Sequence, residues 1–169
     1  TLSMGELIAP KIECEICLQL KAPLAGKGLS VDQVLAATSG VRASFEICDA
    51  RIKDWKCPYS DFFADNGFSA RIVLGGTGWV APDEVDLLEE QVVLSREGVE
   101  LASGKGRAAL GHPAQAVAWL AGKLADRDRS LQAGDLVMTG TLTPILPIEA
   151  PATYIARFAT LGAVAMHFA

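Results

Sequence analysis

The clearest pattern along the chain is an alternation near its start. Apolar residues occupy every second position of residues 11–20, and a similar alternation covers residues 41–48. Successive side chains of a strand point to opposite faces, so a period of two predicts strands in both segments. Similar signals predict six further strands, which are residues 70–74, 91–96, 99–102, 136–139, 154–158 and 163–168. Glu97-Gly98 between two of them is typical of a hairpin turn.

A second period, close to 3.6 residues, predicts a helix over residues 113–126. Its apolar positions are Ala116, Val117, Trp119, Leu120 and Leu124. We expect the side that carries Val117, Leu120 and Leu124 to pack against a sheet. Ser30 is a typical N-cap residue and predicts a shorter helix over residues 31–38. Residues 49–66 are predicted to be a loop with a helical turn. Strands with two helices indicate an α+β or mixed-β architecture.

Composition narrows the class of protein. Half of the 169 residues are hydrophobic, which is ample for the packed core of one domain. The longest apolar stretches fall well short of the ~20 residues that span a bilayer, so a membrane is not an expected partner. The net charge is −5 and no long basic run occurs, which argues against nucleic acid as a partner. No signal peptide is visible, and we expect a cytoplasmic protein.

The cysteines add little chemistry by themselves. Cys14 and Cys17 form a CxxC inside an apolar run, and no second CxxC or suitably spaced His pair follows. On a strand these two residues point to opposite faces, about 10 Å apart, beyond the limit of ~7 Å for a disulfide. We therefore expect neither a zinc site nor a disulfide between them. Cys48 and Cys57 complete the set, and buried reduced thiols are the expectation.

Two glutamates on the first predicted strand are the sharpest candidate for chemistry. Glu13 and Glu15 are two residues apart, so their carboxylates lie side by side. Adjacent like charges are costly unless a proton or a cation lies between them. One interpretation is a solvated polar face; the apolar flanks favour the other, a Mg²⁺ or Mn²⁺ site. Glu46, after the apolar run 41–45, is a third carboxylate, and three would suit metal-assisted chemistry on a 2-oxo acid or enol.

Further polar residues leave two interpretations open. His112, directly before the helix, is a candidate acid or base, or else a structural residue that opens the helix. Asp49 and Arg51 either belong to a site or form a structural ion pair. Gly104, Gly106 and Gly111 predict tight loops, since neither a GxGxxG nor a P-loop motif is present. The chain contains no GxSxG motif, so nucleophilic catalysis is the weaker hypothesis.

Taken together, these motifs resemble a known family. The segment PKIECEI at residues 10–16 is similar to the PxxExEI strand of the fumarylacetoacetate-hydrolase superfamily. The segment FEICDARIKDW at residues 45–55 resembles the ExxDSRIxDW of its branch of 2-hydroxypenta-2,4-dienoate hydratases and 4-oxalocrotonate decarboxylases. The order continues with ADN at 64–66, SGKG at 103–106, LGHP at 110–113 and TGT at 139–141. The motifs cover nearly the whole chain.

The resemblance implies a fold and a site. The fold would be the family's α+β type, a mixed β-sandwich or roll with two main helices. Glu13, Glu15 and Glu46 would hold Mg²⁺ or Mn²⁺, which binds an unsaturated 2-oxo acid. The motif positions make Asp49, Ser69 and Thr141 candidates for substrate binding, and His112 for catalysis, and place the loop 104–113 near the metal. The family also implies a symmetric homo-oligomer, with association with other pathway enzymes as a further expectation.

Within the family, the leading hypothesis is a hydratase that adds water to a 2-hydroxy-2,4-dienoate in aromatic meta-cleavage catabolism, because 54–56 and 103–104 resemble the hydratases more. The alternatives are a 4-oxalocrotonate decarboxylase, a C–C hydrolase of the superfamily, or an inactive metal-binding or structural subunit. The family has an upstream region with a GxKxG lysine, which is not among these residues. We therefore expect residues 1–169 to be one metal-binding catalytic core domain with little turnover alone. Phe68, followed by Ser69, stands where the family has serine, so the pocket wall should differ.

Overall fold

The computed structural model describes residues 1–76 and 78–169. The strands, in chain order, are β1 Pro10–Leu20, β2 Thr38–Asp49, β3 Ser69–Leu74, β4 Gln91–Arg96, β5 Val99–Lys105, β6 Leu136–Met138, β7 Leu146–Pro147, β8 Ala152–Phe158 and β9 Ala163–Phe168. The helices are α1 Val31–Ala36, α2 Tyr59–Ala64 and α3 Pro113–Ala125. Short 3₁₀ turns cover Met4–Glu6, Lys53–Trp55, Asn66–Phe68 and Gly106–Ala108.

The strands form two antiparallel sheets. One sheet has the order β3-β2-β1-β6, with the short β7 also pairing with β1, and the other has the order β5-β4-β8-β9. β1 pairs with β2 along its whole length, and this register puts Glu13 directly opposite Glu46. The paired strands are antiparallel throughout. The expected α+β architecture is confirmed.

The core lies between the two sheets and follows the alternation of the sequence. Ile12, Cys14 and Ile16 on one face of β1 are fully buried, as is Phe45 of β2. They belong to one apolar cluster with residues of the second sheet, among them Val92, Leu94, Tyr154, Phe158 and Phe168. Alternate side chains of a strand share a face, so the predicted apolar face of β1 is the one turned to this core.

The helices start where they were predicted and end slightly earlier. Ser30 caps α1, its Oγ accepting from the Gln33 N–H at 3.2 Å while the Gln33 side chain accepts from the Ser30 N–H at 2.8 Å. This reciprocal pair satisfies two free backbone donors of the first turn. β2 then begins at Thr38, where the prediction extended the helix.

α3 lies against α1 and also buries one side in the main core. That core cluster contains strand residues of both sheets, so the predicted side of the helix is the one turned to the core. Val117 is fully buried, and Leu120 and Leu124 are partly buried against the main core. Trp119, part of the predicted apolar pattern, is 53% exposed. In the described part of the chain, no helix has the length and apolar character needed to cross a membrane.

Candidate metal centre

Three glutamates meet in one cavity between β1 and β2. Glu13 and Glu15 leave the same face of β1, and Glu46 lies opposite Glu13 on β2. The carboxyl groups of Glu13 and Glu15 are hydrogen-bonded to each other. All three line a cavity of about 520 Å³. The cross-strand register explains how Glu46 comes to line the same cavity as the other two, and their joint binding of one cation stays a prediction.

Backbone and thiol contacts fix the positions of these carboxylates. The Gly140 N–H donates to Glu15 Oε2 at 2.8 Å, and the Cys48 thiol donates to Glu13 Oε1 across 3.7 Å. Gly140 has a φ of +95°, a conformation that side chains disfavour, so glycine suits the turn that points its N–H at Glu15. The TGT motif thus contributes a backbone donor to the site.

Glu15 is buried, and Glu13 and Glu46 beside it are half-buried, so like charges lie close together. Glu15 is only 1% exposed. Burial, together with the nearby charge of Glu46, raises the pKa of Glu15 to about 9, against the opposing effect of the Gly140 N–H. Burial also raises the pKa of Glu13, aided by Glu46 and opposed by hydrogen bonds with Glu15 and Cys48. Among the described residues, no lysine, arginine or histidine forms an ion pair with these three carboxylates.

This donor set fits a divalent cation. Carboxylates from three chain positions line one cavity, which has room for water or substrate oxygens as well. A hard cation prefers oxygen ligands of this kind. Its charge would favour the ionised form of Glu15, whose pKa burial otherwise raises.

An aromatic wall faces the glutamates. Trp55, Phe62 and Phe68 line the cavity, and the Phe68 ring meets each of the other two edge-on, with centroids 5.0 Å apart. Trp55 and Phe68 both have left-handed backbones, with φ of 59° and 64°. For a non-glycine residue this conformation costs on the order of 1–2 kcal/mol and is often found at functional sites. Phe68 lines the cavity, and the expected difference from the family's pocket wall stays a prediction.

Lys11 is a site residue that the sequence reasoning missed. It lines the same cavity, and its ammonium lies 4.0 Å from the centre of the Trp55 ring. Lys11, Glu13 and Glu15 are at positions i, i+2 and i+4 of one strand, so they share a face. The alternation that joined the two glutamates contained this signal as well.

The proposed substrate-binding residues lie outside the cavity lining. Asp49 accepts hydrogen bonds from the Ile8 and Ala9 N–H groups, between 2.7 and 3.1 Å, and so ties the start of the chain to β2. Asp49 and Ser69 border a separate depression. Thr141 Oγ1 donates to the Thr143 carbonyl at 2.9 Å, next to the lining residue Gly140.

His112 has a structural contact at the start of α3. Its Nδ1 accepts from the Ala114 N–H at 3.0 Å, which is the geometry of an N-cap. Burial lowers the pKa of His112, and the charge of Asp86 opposes this effect. His112 is not among the residues that line the glutamate cavity. Of the two interpretations left open by the sequence, the structural one describes this contact.

The loop of residues 104–113 contributes no residue to the cavity lining, and its expected place near the metal stays a prediction. Its glycines serve close backbone packing. A Cβ on Gly104 would lie 1.8 Å from the Leu142 carbonyl oxygen, and one on Gly106 would lie 1.7 Å from that of Leu87. The two glycines of the SGKG motif are therefore required by the fold.

Arg51 pairs with Asp65, and the suggested ion pair with Asp49 is not formed. The Arg51 N–H donates to the Asp65 carboxylate at 3.1 Å, and its guanidinium also contacts that carboxylate. This pair joins the end of β2 to the turn that precedes Phe68, so the motif residues around it position the aromatic wall. All four cysteines are free thiols, and Cys14 and Cys17 lie within β1 as expected.

Comparison with known proteins identifies the class that this fold and site define. The family model for the fumarylacetoacetate (FAA) hydrolase C-terminal domain matches residues 5–166. The chain belongs to this family. The match covers the two sheets and the glutamate cavity, and it agrees with the resemblance found from the motifs.

Individual relatives carry two kinds of name. The chain is 37% identical over 165 residues to a 2-keto-4-pentenoate hydratase of Paraburkholderia phymatum, an alignment that covers 98% of this chain and 63% of that protein. It is 39% identical over 164 residues to a 4-oxalocrotonate decarboxylase of Pseudomonas sp. (strain CF600), covering 97% of this chain and 62% of the relative. The chain thus spans less than two thirds of the length of these relatives.

Comparison with a solved structure supports the same family. The structure of the 4-oxalocrotonate decarboxylase from Pseudomonas putida G7, complexed with magnesium and adipate, superposes with a TM-score of 0.96 at 37% identity. The superposition covers 99% of this chain and 64% of that one. Hydratase and decarboxylase relatives are comparably close, so the family is established while the reaction is a separate question.

Proposed function

We propose that this chain is the metal-binding catalytic core of an enzyme that acts on an unsaturated 2-oxo acid, and that the reaction is hydration of a 2-hydroxy-2,4-dienoate. The observation that carries the proposal is the convergence of Glu13, Glu15 and Glu46 in one cavity without a basic partner in the described residues. Buried carboxylates arranged in this way are suited to holding Mg²⁺ or Mn²⁺.

Different residues of the chain have different roles in the proposed reaction. Glu13, Glu15 and Glu46 hold the cation, and the Gly140 N–H keeps Glu15 in place. When bound, the cation supplies Lewis-acid chemistry, stabilising negative charge on the 2-oxygen of the substrate. Lys11 attracts the anionic substrate into the cavity and fixes its orientation, because it is the one basic side chain in the described lining.

The aromatic wall favours a substrate with an apolar far end. Trp55, Phe62 and Phe68 face the glutamates across the cavity, and Met138 and Ile145 complete the apolar lining. A substrate held at its carboxylate end by the cation would direct its alkenyl end toward this wall. A short dienoate gains from burial there, whereas a second carboxylate would lose hydration and would have Lys11 as its basic partner in the described lining.

Lys11 provides the specific support for decarboxylation as a second candidate. Its ammonium, 4.0 Å from the Trp55 ring, borders the aromatic wall and could neutralise the second carboxylate of a dicarboxylic 2-oxo acid. Replacing it with methionine separates the two candidates. Lys11→Met would weaken the use of a dicarboxylate more than that of a monocarboxylate, since only the former needs a cation at that end.

The test compares both substrates with the complete gene product. Purified protein is treated with a chelator, reloaded with Mg²⁺ or Mn²⁺, and assayed with 2-hydroxypenta-2,4-dienoate and with 2-oxohex-3-enedioate. We expect metal-dependent hydration of the first to exceed turnover of the second. Faster CO₂ release from the second would favour decarboxylation, and no turnover of either despite metal binding would indicate a hydrolase or an inactive subunit. Lack of metal binding would overturn the proposal.

A further inference from the structure

A second cavity adjoins the glutamate cavity near the start of β1. It also has a volume of about 520 Å³. Lys11 and Trp55 line both cavities, and the Lys11 ammonium lies 4.0 Å from the centre of the Trp55 ring. The stacked pair therefore forms a wall that the two cavities share. A ligand that extends past this pair would leave the glutamate cavity and enter the second one, called here the adjoining cavity.

The adjoining cavity is lined mainly by apolar side chains. These belong to Met4, Ile8, Ala9, Pro10, Pro147 and Ile148. The two prolines have no backbone N–H to offer a ligand. The indole N–H of Trp55 is already engaged, since it donates to the Ala9 carbonyl at 3.1 Å. A hydrocarbon group would therefore gain from burial here and would leave few donors without a partner.

The charges of the adjoining cavity disfavour an anionic group. Asp54 is the acidic residue of the described lining, and no described lysine, arginine or histidine forms an ion pair with it. The basic residue, Lys11, stands at the shared wall. A second carboxylate would be held at Lys11, and one placed further on would lose hydration and meet the like charge of Asp54. The adjoining cavity thus suits an uncharged group.

Hydrogen bonds between backbone segments fix its walls. The Ile8 and Ala9 N–H groups are tied to the Asp49 carboxylate, and the Ile148 N–H donates to the Pro10 carbonyl at 3.0 Å. The apolar side chains are therefore presented by segments that are already ordered. A preformed cavity of this kind spares the ligand the cost of ordering it.

We propose that the adjoining cavity is a subsite for the apolar tail of the substrate, which makes the preferred substrates 2-hydroxy-2,4-dienoates whose far end carries an uncharged alkyl chain. The inference deepens the proposed function and rests on the glutamates holding the head of the substrate through a cation. Lys11 is two residues before Glu13 on β1, a distance of about 7 Å along the strand. A tail has to pass Lys11 to reach the subsite, so the effect should grow with chain length.

Binding of saturated 2-oxo acids tests the subsite without turnover, because these acids have no carbon–carbon double bond to hydrate. The complete gene product is loaded with Mn²⁺ and titrated calorimetrically with 2-oxopentanoate, 2-oxooctanoate and the dicarboxylate 2-oxooctanedioate. Burying one methylene strengthens binding roughly three- to fourfold. We expect 2-oxooctanoate to bind at least about tenfold more tightly than 2-oxopentanoate, and 2-oxooctanedioate to lose most of this gain.

Two variants localise the gain to the adjoining cavity. The Ile8 side chain is 70% exposed, so Ile8→Ser should fold, and the advantage of 2-oxooctanoate over 2-oxopentanoate should fall at least about threefold. Val99→Ser, at a 65% exposed position outside both cavities, is the matched control and should keep the full advantage. Asp54 has a φ of 58°, which asparagine also tolerates. Asp54→Asn should therefore improve binding of 2-oxooctanedioate relative to 2-oxooctanoate by about threefold.

The outcomes separate this inference from the proposed function. Equal binding of 2-oxopentanoate and 2-oxooctanoate by the wild type, as when another segment of the protein fills the adjoining cavity, would overturn the subsite and leave the glutamate centre standing. A gain with length that is unchanged in Ile8→Ser would also overturn it, because the tail would then lie in the glutamate cavity. Failure of the Mn²⁺-treated protein to bind any of these acids would overturn both proposals.

Discussion

The two faces of β1 differ in what they contact: one packs in the core and the other lines the cavity. One face carries Ile12, Cys14 and Ile16, each fully buried in the core between the sheets. The other carries Lys11, Glu13 and Glu15, which line the cavity. Eleven consecutive residues of one strand thus supply the centre of the core and the centre of the site. The same backbone rigidity serves both.

Burial of side chains contributes to the free energy of folding with opposite signs on the two faces. Burying an isoleucine side chain contributes roughly 1.5–3 kcal/mol to folding. Burying a carboxylate next to other carboxylates opposes folding unless the group is protonated or bound to a cation. The face that carries Ile12, Cys14 and Ile16 (the core face) therefore stabilises the fold. Burial on the face that carries Lys11, Glu13 and Glu15 (the site face) opposes folding, and a bound cation would offset this effect. Substitutions on the two faces should separate stability from metal binding.

The largest expected effect is on activity, from a change on the site face. Glu46→Gln removes one of three charged candidate ligands while keeping the shape of the side chain. We expect turnover by the complete enzyme to fall about 10³-fold, because Lewis-acid stabilisation is worth several kcal/mol. Steady-state assays at saturating metal measure this. Glu100→Gln, on the exposed edge strand β5, is the control and should leave the rate unchanged.

The next effect is on stability, from the core face. Ile16→Ala leaves a cavity between the sheets and should lower the free energy of unfolding by about 2–5 kcal/mol. Urea denaturation of the metal-free protein measures the loss. Mn²⁺ affinity of the folded variant should remain within about twofold of wild type, because the Ile16 side chain leaves the strand on the face opposite to the glutamates. A large change in affinity would show that the two faces are coupled.

The third prediction concerns pH and the metal-free protein. Glu15 keeps its proton in the fold up to about pH 9, whereas its ordinary pKa of 4.5 applies when unfolded. Between these values the folded state binds more protons, so this contribution to stability is complete below 4.5 and lost as pH rises toward 9. Thermal melts with a chelator present should show a decline that is weaker in Glu15→Gln. Equal slopes in the two proteins would contradict the buried, protonated state.

The smallest effect is expected at the edge of the site face. Lys11→Met removes the ammonium above the Trp55 ring, a contact worth about 0.5–1 kcal/mol, and keeps an unbranched apolar chain. Stability should change by less than about 1 kcal/mol. The KM for an anionic substrate should still rise, because the cavity loses its basic residue. An unchanged KM would place Lys11 outside the substrate's path.

Local alternation predicts that Glu13 and Glu15 lie together, whereas the position of Glu46 beside them depends on strand pairing. Glu13 and Glu15 share a face because they are two residues apart, which the sequence shows directly. Glu46 joins them only through the β1–β2 register, which depends on contacts across more than thirty positions of the chain. The family motifs pointed to Glu46 across this gap. In the loop 104–113 the structure shows a packing role, since its glycines lie against Leu142 and Leu87.

Other features depend on tertiary context that local patterns do not contain. The left-handed backbones of Trp55 and Phe68 aim both rings into the cavity, although neither residue type favours that conformation. Trp119 continues the helical period of α3 but is more than half exposed, whereas the smaller Ala114, Ala118 and Ala121 are buried together with Val117. Periodicity predicted the helix but not which of its apolar residues are buried.

The most direct test of the account is a Mn²⁺ titration of the metal-free protein, followed by electron paramagnetic resonance. Wild type is compared with Glu13→Gln, Glu15→Gln and Glu46→Gln, after each variant is shown to be folded by circular dichroism. The account predicts one Mn²⁺ per chain in wild type and a loss of affinity of at least about tenfold in every one of the three variants. Wild-type affinity retained in all three would contradict a shared metal centre.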